Sequence, residues 1–212
     1  FLYEAAVGTI TQVTETAGVV NADPSVSGDG ARIAFVSTSN HTNHNADGNL
    51  EIFLYDAAAA TIKQVTDTTG FFGSESPSIS GTGMRIAFRS NSVVAGNADG
   101  NSEIFLYDAA AGTVTQVTDT TGGVNASPSI SGDGRRIAFE SDRFLGGNAD
   151  GNREIFLYDV TTSGIYQITD TTDTPGVLGN AFPSISGDGT RIAFASTHDL
   201  TGQNADGNEE LF

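Results

Sequence analysis

The stretch at residues 45–56 reads Asn-Ala-Asp-Gly-Asn-Leu-Glu-Ile-Phe-Leu-Tyr-Asp, a turn-rich segment followed at once by an apolar run. Its first part, Asn-Ala-Asp-Gly-Asn-X-Glu, recurs at residues 97–103, 148–154 and 204–210. The first Asn of each later copy lies 52, 51 and 56 residues after the one before it. A fixed period near 50 residues is typical of propellers, solenoids and other repeat arrays. The sequence therefore predicts one structural unit repeated four times.

Each unit contains four candidate β-strands. The first reads Pro-Ser-Ile/Val-Ser and the second Arg-Ile-Ala-Phe, with a Gly-Asp-Gly or Gly-Thr-Gly hairpin turn between them. The third reads Ile/Leu-Phe-Leu-Tyr, and the fourth resembles Thr-Ile-Thr-Gln-Val-Thr. Four short antiparallel strands joined by hairpins describe one propeller blade. A parallel β-helix is the competing repeat architecture, but its rungs are shorter and need fewer glycine-rich turns.

These patterns predict an all-β fold, a four-bladed β-propeller of four-stranded antiparallel blades. Both chain ends carry the third-strand motif, so we expect strands from the two ends to close the ring, which removes exposed sheet edges. The propeller is expected to be a single domain over residues 1–212. Its blades are placed at about 24–66, 77–118 and 128–169, with 183–212 combined with 1–14 as the fourth.

The succession of these motifs resembles the repeat of TolB-like β-propellers. The matching pattern runs from Pro-Ser-Ile-Ser-Gly-Asp-Gly-X-Arg-Ile-Ala-Phe through Asp-Gly-Asn-X-Glu-Ile-Phe-Leu-Tyr-Asp to Gln-Val-Thr, and it covers essentially the whole chain. The resemblance implies a propeller fold. For function it implies either a protein-interaction platform, as in TolB, or a propeller appended to an enzyme or a surface protein.

The composition excludes several classes of partner. The chain has 9 basic and 26 acidic residues, a net charge of -17, so nucleic acid would be repelled and is not an expected partner. The same charge opposes docking on anionic lipid and suits cation binding. Without cysteine there is no disulfide, thiolate metal site or thiol nucleophile. The apolar runs are far shorter than the roughly 20 residues of a membrane helix, so membrane insertion is not expected.

The repeated heptapeptide places side-chain oxygens at every second position. Ca²⁺ prefers six to eight oxygen ligands, and a glycine-bent loop can direct alternate side chains to one point. The sequence therefore predicts Ca²⁺ as a cofactor. The alternative is a purely structural turn, because Asp-Gly is a strong turn signal and Asn tolerates left-handed conformations. The candidate metal ligands are Asn45, Asp47, Asn49, Glu51, Asn97, Asp99, Asn101, Glu103, Asn148, Asp150, Asn152, Glu154, Asn204, Asp206, Asn208 and Glu210.

No residue is predicted to be catalytic. The strand-two arginines occur once per unit, whereas catalysis needs a constellation at one place, so an ion pair within each blade is expected; these arginines are Arg32, Arg85, Arg136 and Arg191. The three histidines lie in variable loops and are expected to be solvated. The sequence contains neither a nucleophile elbow nor a phosphate-binding loop.

The uniform units predict a non-enzymatic extracellular or cell-surface module with a structural or adhesive role. Calcium would stabilise it, and self-association through the terminal strands would make it a subunit of a filament or a segment of a tandem array. One alternative is a propeller that recognises a glycan or protein ligand. The other is an accessory propeller of a larger enzyme, whose catalytic residues would lie outside these 212 residues.

Overall fold

The protein is described here by a computed structural model that covers residues 1–70, 73–172 and 179–212. Its regular structure consists of 17 short strands, and all pairing within the sheets is antiparallel. Among these residues there is no helix with the length and apolarity that a membrane span requires. The prediction of an all-β fold with four blades is confirmed.

Each of the first three blades is a sheet of four strands in chain order. The first contains β3 (Asn21–Val26), β4 (Arg32–Ser37), β5 (Glu51–Asp56) and β6 (Thr61–Gln64). The second contains β7 (Ser74–Ile79), β8 (Arg85–Ser90), β9 (Glu103–Asp108) and β10 (Thr113–Gln116). The third contains β11 (Asn125–Ile130), β12 (Arg136–Ser141), β13 (Glu154–Asp159) and β14 (Gly164–Gln167).

The two chain ends form smaller sheets. The fourth blade has three strands, β15 (Asn180–Ile185), β16 (Ile192–Ser196) and β17 (Glu210–Leu211), and the N-terminal hairpin consists of β1 (Leu2–Glu4) and β2 (Thr9–Thr11). The hairpin packs Leu2 against the apolar face of the first blade. The expected closure, with residues 1–14 completing the fourth blade, is therefore not the pairing that the described strands adopt.

The sequence repeat explains this difference. The C-terminal residues Glu210-Leu211-Phe212 match the first half of the third strand and the N-terminal residues Phe1-Leu2-Tyr3-Glu4 match its second half, so Phe1 and Phe212 compete for one position beside β16. Phe212 takes that position, because its backbone N–H and carbonyl both bond to Phe194. The C-terminal half is joined to β16 by the loop at residues 197–209, so pairing it costs less loop-closure entropy than pairing the N-terminal half, which lies at the other end of the chain.

The core lies between successive blades. The third strand is apolar on both faces, and its alternate side chains point to opposite neighbours. Ile52 and Leu54 of β5 pack in one cluster with Phe88 of the second blade, whereas Phe53 and Tyr55 face the N-terminal hairpin. Stacked phenylalanine pairs recur across the second and third strands of the blades, with ring centroids 5.6 Å apart for Phe88 and Phe105 in the second blade.

The inner strands β3, β7, β11 and β15 meet at their turns. The backbone N–H of Gly132 donates to the carbonyl oxygen of Gly187 at 2.9 Å, and Gly81 makes the same bond to Gly132. A Cβ on Gly132 would lie 2.8 Å from that Gly187 oxygen. Glycine is therefore required at this position by the close approach of two blades rather than by the turn itself.

Each inner strand also contains a bulge immediately before its proline. The pairing with the second strand shifts register at this point in all four blades. The residue before the proline has a left-handed φ in every case; these residues are Asp23, Ser76, Ser127 and Phe182. A left-handed conformation is a genuine outlier for a bulky residue such as phenylalanine.

Candidate functional site

The structure divides the heptapeptide into two parts with different environments. Residues 45–49 form a loop in which Asn45 is buried and Asp47 is exposed, whereas Glu51 is the first residue of β5 and is fully buried. The second and third copies divide in the same way. In the first copy the aspartate is therefore exposed to solvent, whereas the glutamate is enclosed by the protein.

The buried glutamates accept hydrogen bonds from protein donors. The side-chain hydroxyl of Thr118 donates to Glu103 Oε2, and the backbone N–H and hydroxyl of Thr120 donate to Oε1 at 2.7 Å each. Asn101 Nδ2 adds a bond of 2.8 Å and Asn125 Nδ2 one of 3.0 Å. A buried carboxylate is tolerated only with such donors. Glu103 is thus a structural acceptor enclosed by protein.

The threonine connectors between blades are part of this cluster. The donating threonines lie 15 and 17 residues after the glutamate in each of the first three blades, and the pairs are Thr66 and Thr68, Thr118 and Thr120, and Thr169 and Thr171. The role of these threonines as donors was not predicted from the sequence. Their constant spacing from the glutamate is the signal that could have revealed it.

The loop part of each copy is held by its first asparagine. Asn45 Nδ2 donates to the carbonyl oxygen of Asn49 at 3.0 Å, and the equivalent bonds in the other three copies measure 2.9, 2.7 and 2.8 Å. Asp47 Oδ2 accepts the backbone N–H of Gly70 at 3.3 Å. The described residues contain no group of three or more His, Cys, Asp or Glu placed to hold a metal ion. A cation here would need amide and backbone oxygens as well.

Three of the four strand-two arginines pair within their blades as expected, whereas Arg191 forms no ion pair among the described residues. The Nε–Oδ2 distances are 3.3 Å for Arg32 and Asp56, 3.1 Å for Arg85 and Asp108, and 3.8 Å for the third-blade pair. Bonds from nearby backbone N–H groups, reinforced by Arg85, hold the pKa of Asp108 below its usual range. Arg85 also donates to the carbonyl oxygen of Gly134 at 2.9 Å, so it links two blades as well.

One histidine departs from the expectation of a solvated loop residue. His41 packs edge-on against Phe35 and Phe53, with ring centroids 6.0 and 5.1 Å apart. Burial lowers the pKa of His41, because the neighbouring aromatic rings solvate the charged imidazolium poorly. His41 therefore belongs to the core of the first blade.

The blades differ most where the inner strands bulge. In the second blade Arg89 pairs with Glu75, whereas in the third Glu140 is buried and accepts Arg153 Nη1 at 3.1 Å. Glu140 Oε2 also accepts the backbone N–H of Phe182 at 3.0 Å, across the boundary between the third and fourth blades. The Phe182 side chain is 65% exposed. This polar cluster with an exposed aromatic ring is specific to one blade boundary.

Comparison with solved structures identifies the fold as that of a β-propeller. The chain is similar to a protein assigned as TolB from Agrobacterium tumefaciens, with a TM-score of 0.59 and 24% identity over 93% of this chain and 67% of that one. It is similar to the β-propeller domain of the Trilobed protease from Pyrococcus furiosus, with a TM-score of 0.53 and 17% identity over 92% and 57%. The resemblance to TolB-like propellers is thereby confirmed at the level of fold.

A third similar structure is oligogalacturonate lyase from Vibrio parahaemolyticus, with a TM-score of 0.55 and 15% identity over 94% of this chain and 54% of that one. The chain thus spans a little more than half of the protease propeller and of the lyase. Neither the protein-family models nor the curated protein sequences give a match.

These comparisons correct the predicted function. The prediction of a structural or adhesive module, built into a filament or tandem array, is wrong, because the similar structures are TolB and propellers of enzymes. The uniformity of the blades does not indicate a polymer. The repeated residues instead meet packing and hydrogen-bonding needs that every blade shares. The alternative of an accessory propeller agrees better with the comparisons.

Proposed function

We propose that this chain is an accessory β-propeller module that serves the catalytic domain of a larger enzyme and carries out no chemistry itself. The observation that carries the proposal is the occurrence of the same fold in a protease and in oligogalacturonate lyase. Propellers of this kind are platforms on which unrelated functions are built, so the chemistry has to be argued from a site.

The polar residues that recur in the blades support a non-catalytic role. Glu103 accepts five hydrogen bonds inside the protein, and Arg85 is engaged by Asp108 and by the neighbouring blade. Groups held in this way are not available to bind a substrate or to transfer a proton. The proposal therefore places the reactive groups in another domain.

The complete open reading frame of the native gene tests this proposal. We expect it to encode a hydrolase or lyase domain in the same polypeptide as residues 1–212. A reading frame with propeller repeats alone would contradict the proposal. The purified chain should also release no product from casein or polygalacturonate above the buffer control, and turnover by the chain would contradict its non-catalytic role.

Recognition of a glycan or peptide is a second candidate function, and the cluster around Glu140 favours it. An exposed aromatic ring beside a charged pair can stack on a sugar or a peptide side chain while polar groups orient the ligand. Binding to glycan and peptide arrays should be lost in Phe182→Ala. The matched control is Phe144→Ala, which removes another exposed phenylalanine, 70% accessible, from a loop. Equal binding by the two variants would contradict this role.

Two earlier predictions remain to be tested. Location at the cell exterior is supported by the net charge of -17, which favours solubility. Pairing of two copies through their terminal strands is supported by the complementary strand motifs at residues 1–4 and 209–212. Cell fractionation and light scattering, respectively, measure these properties.

A further inference from the structure

We propose that the loops at residues 45–49 and 97–101 each bind a calcium ion, through asparagine amide oxygens and one aspartate, without the glutamate that ends the heptapeptide. Glu51 and Glu103 are fully buried and are bonded to threonine donors on the strand side. The ligand set is therefore smaller than the repeat suggests, and its side-chain members all belong to loop residues.

Buried oxygens that accept no hydrogen bond are available to coordinate a cation. The Oδ1 atoms of Asn45, Asn49, Asn97 and Asn101 are buried, and none of them has a hydrogen-bond partner among the described residues. Asn45 and Asn97 are each 2% exposed, and Asn49 is 7% exposed. An unsatisfied buried acceptor is costly. Among the described residues the first two loops hold two such oxygens each, whereas the third and fourth hold one each, Asn152 Oδ1 and Asn204 Oδ1.

The nitrogen atom of the first asparagine sets the direction of its amide in each loop, whereas Asn49 and Asn101 donate from Nδ2 to the carbonyl oxygens of Thr68 and Thr120 on the connectors. Asn45 Nδ2 donates across the loop to the carbonyl oxygen of Asn49, and Asn97 Nδ2 donates to that of Asn101. This bond fixes which end of the amide is the nitrogen, and it places the amide of the first asparagine over its own loop. The unpaired Oδ1 on the same amide is thereby held at the loop as well.

Other oxygens flank the same loops. A Cβ built on Gly48 would lie 3.9 Å from the carbonyl oxygen of Thr38, and one on Gly100 would lie 3.7 Å from that of Asn91. Asp47 and Asp99 are exposed and supply one carboxylate to each loop. Amide, carboxylate and carbonyl oxygens are the ligands that calcium accepts in flexible geometry, with water completing the shell.

The other two copies provide an internal comparison. In the third loop Asn148 Oδ1 accepts the backbone N–H of Gly151 at 3.3 Å, and in the fourth loop Asn208 is exposed. Each of these loops therefore offers fewer unpaired buried oxygens, and calcium should occupy the first two loops at lower concentration. With one carboxylate per loop, the dissociation constant should be on the order of 10⁻³ M, the weak end for extracellular calcium modules.

Thermal unfolding and calcium titration of the whole chain test the proposal. Addition of 10 mM calcium chloride after chelation should raise Tm by about 5 °C through mass action, and calorimetric titration should give two sites. Asp47→Asn combined with Asp99→Asn should remove most of the rise. Asp67→Asn combined with Asp119→Asn, which changes the same charge at exposed connector positions, should retain it.

The contrary results are equally specific. An equal rise in Tm with sodium chloride of matched ionic strength would show charge screening and would overturn the proposal. The same conclusion follows if the two double variants respond alike, or if equilibrium dialysis of the unmodified chain at 10 mM calcium shows no bound ion. The dialysis keeps the test valid even when a variant fails to fold.

Discussion

Glu103 and Glu210 occupy the same place in the repeat, and the protein surrounds them in opposite ways. Glu103 is fully buried and accepts bonds from two threonines and two asparagines. Glu210 is exposed, and among the described residues no further strand of the fourth blade follows the one that contains it. The comparison shows that this carboxylate is buried by a connector and by the next blade rather than by its own heptapeptide.

The same contrast holds for two other repeated residues. Gly132 is in close contact with the next blade, whereas a Cβ on Gly187 would have no atom within 4 Å. Arg85 pairs with Asp108, and no ion pair is recorded for Arg191 among the described residues. Identical motifs therefore contribute more to the free energy of unfolding in the second and third blades than in the fourth. The fourth-blade residue can serve as the control for each substitution in the second or third blade.

The largest expected effect comes from Glu103→Gln. The substitution removes the charge and puts an N–H₂ group among five donors, so it should lower the free energy of unfolding by about 3 kcal/mol. Glu210→Gln should change it by less than about 0.5 kcal/mol. Urea denaturation at pH 7 measures both. Equal losses would show that the donors around Glu103 do not stabilise it.

Gly132→Ala sharpens the comparison through packing. The new methyl group would force apart two turns whose backbones are in contact, which should cost about 2 kcal/mol. Gly187→Ala should cost less than about 0.5 kcal/mol, because its Cβ would lie in open space. The denaturation midpoints of the two variants measure these losses of stability. If Gly187→Ala lowers the midpoint as much as Gly132→Ala does, the contact between the two turns does not explain the effect.

Arg85→Lys should have a smaller effect. Lysine keeps the charge but cannot bond to Asp108 and to the carbonyl oxygen of Gly134 at once, as Arg85 does. We expect a loss of about 0.5–1 kcal/mol, the size of a partly exposed ion pair. Arg191→Lys should be neutral in the same urea titration. A neutral Arg85→Lys variant would show that the link between the second and third blades adds nothing to stability.

The smallest effect concerns the hairpin turns at acid pH. Bonds from Ser186 and from the backbone and side chain of Thr190 lower the pKa of Asp188 to about 2. Because this pKa lies below the unfolded value of about 3.9, Asp188 stabilises the fold above pH 4, and the contribution is lost as pH falls toward 2. Asp188→Asn should therefore lower Tm slightly at pH 6 and leave it unchanged at pH 2.

The second blade carries the natural control for that turn, since Thr82 replaces the aspartate there. In Thr82→Asn, the change in Tm between pH 6 and pH 2 should equal that of the unmodified chain. If it flattens the pH dependence as much as Asp188→Asn does, the aspartate turn is not the titrating element.

The sequence by itself determined the blade. Period, alternation and glycine turns are local properties, so they located the four strands of a unit and predicted an ion pair within each blade, which Arg85 forms with Asp108. Those properties do not depend on what lies on either side of a blade. For the same reason they did not predict that the first part of the heptapeptide would form a loop while its glutamate became a buried hydrogen-bond acceptor.

Only the tertiary structure decided which copies are buried and which loop oxygens remain unpaired. Asn125, one of the donors to Glu103, comes from the next blade and lies 22 residues further along the chain. The position of β1 and β2 likewise followed from the competition of Phe1 and Phe212, which occupy the same place in the repeat, for one position beside β16. Burial is a property of neighbours in space, and a repeat in sequence specifies the unit but not what is packed against each copy.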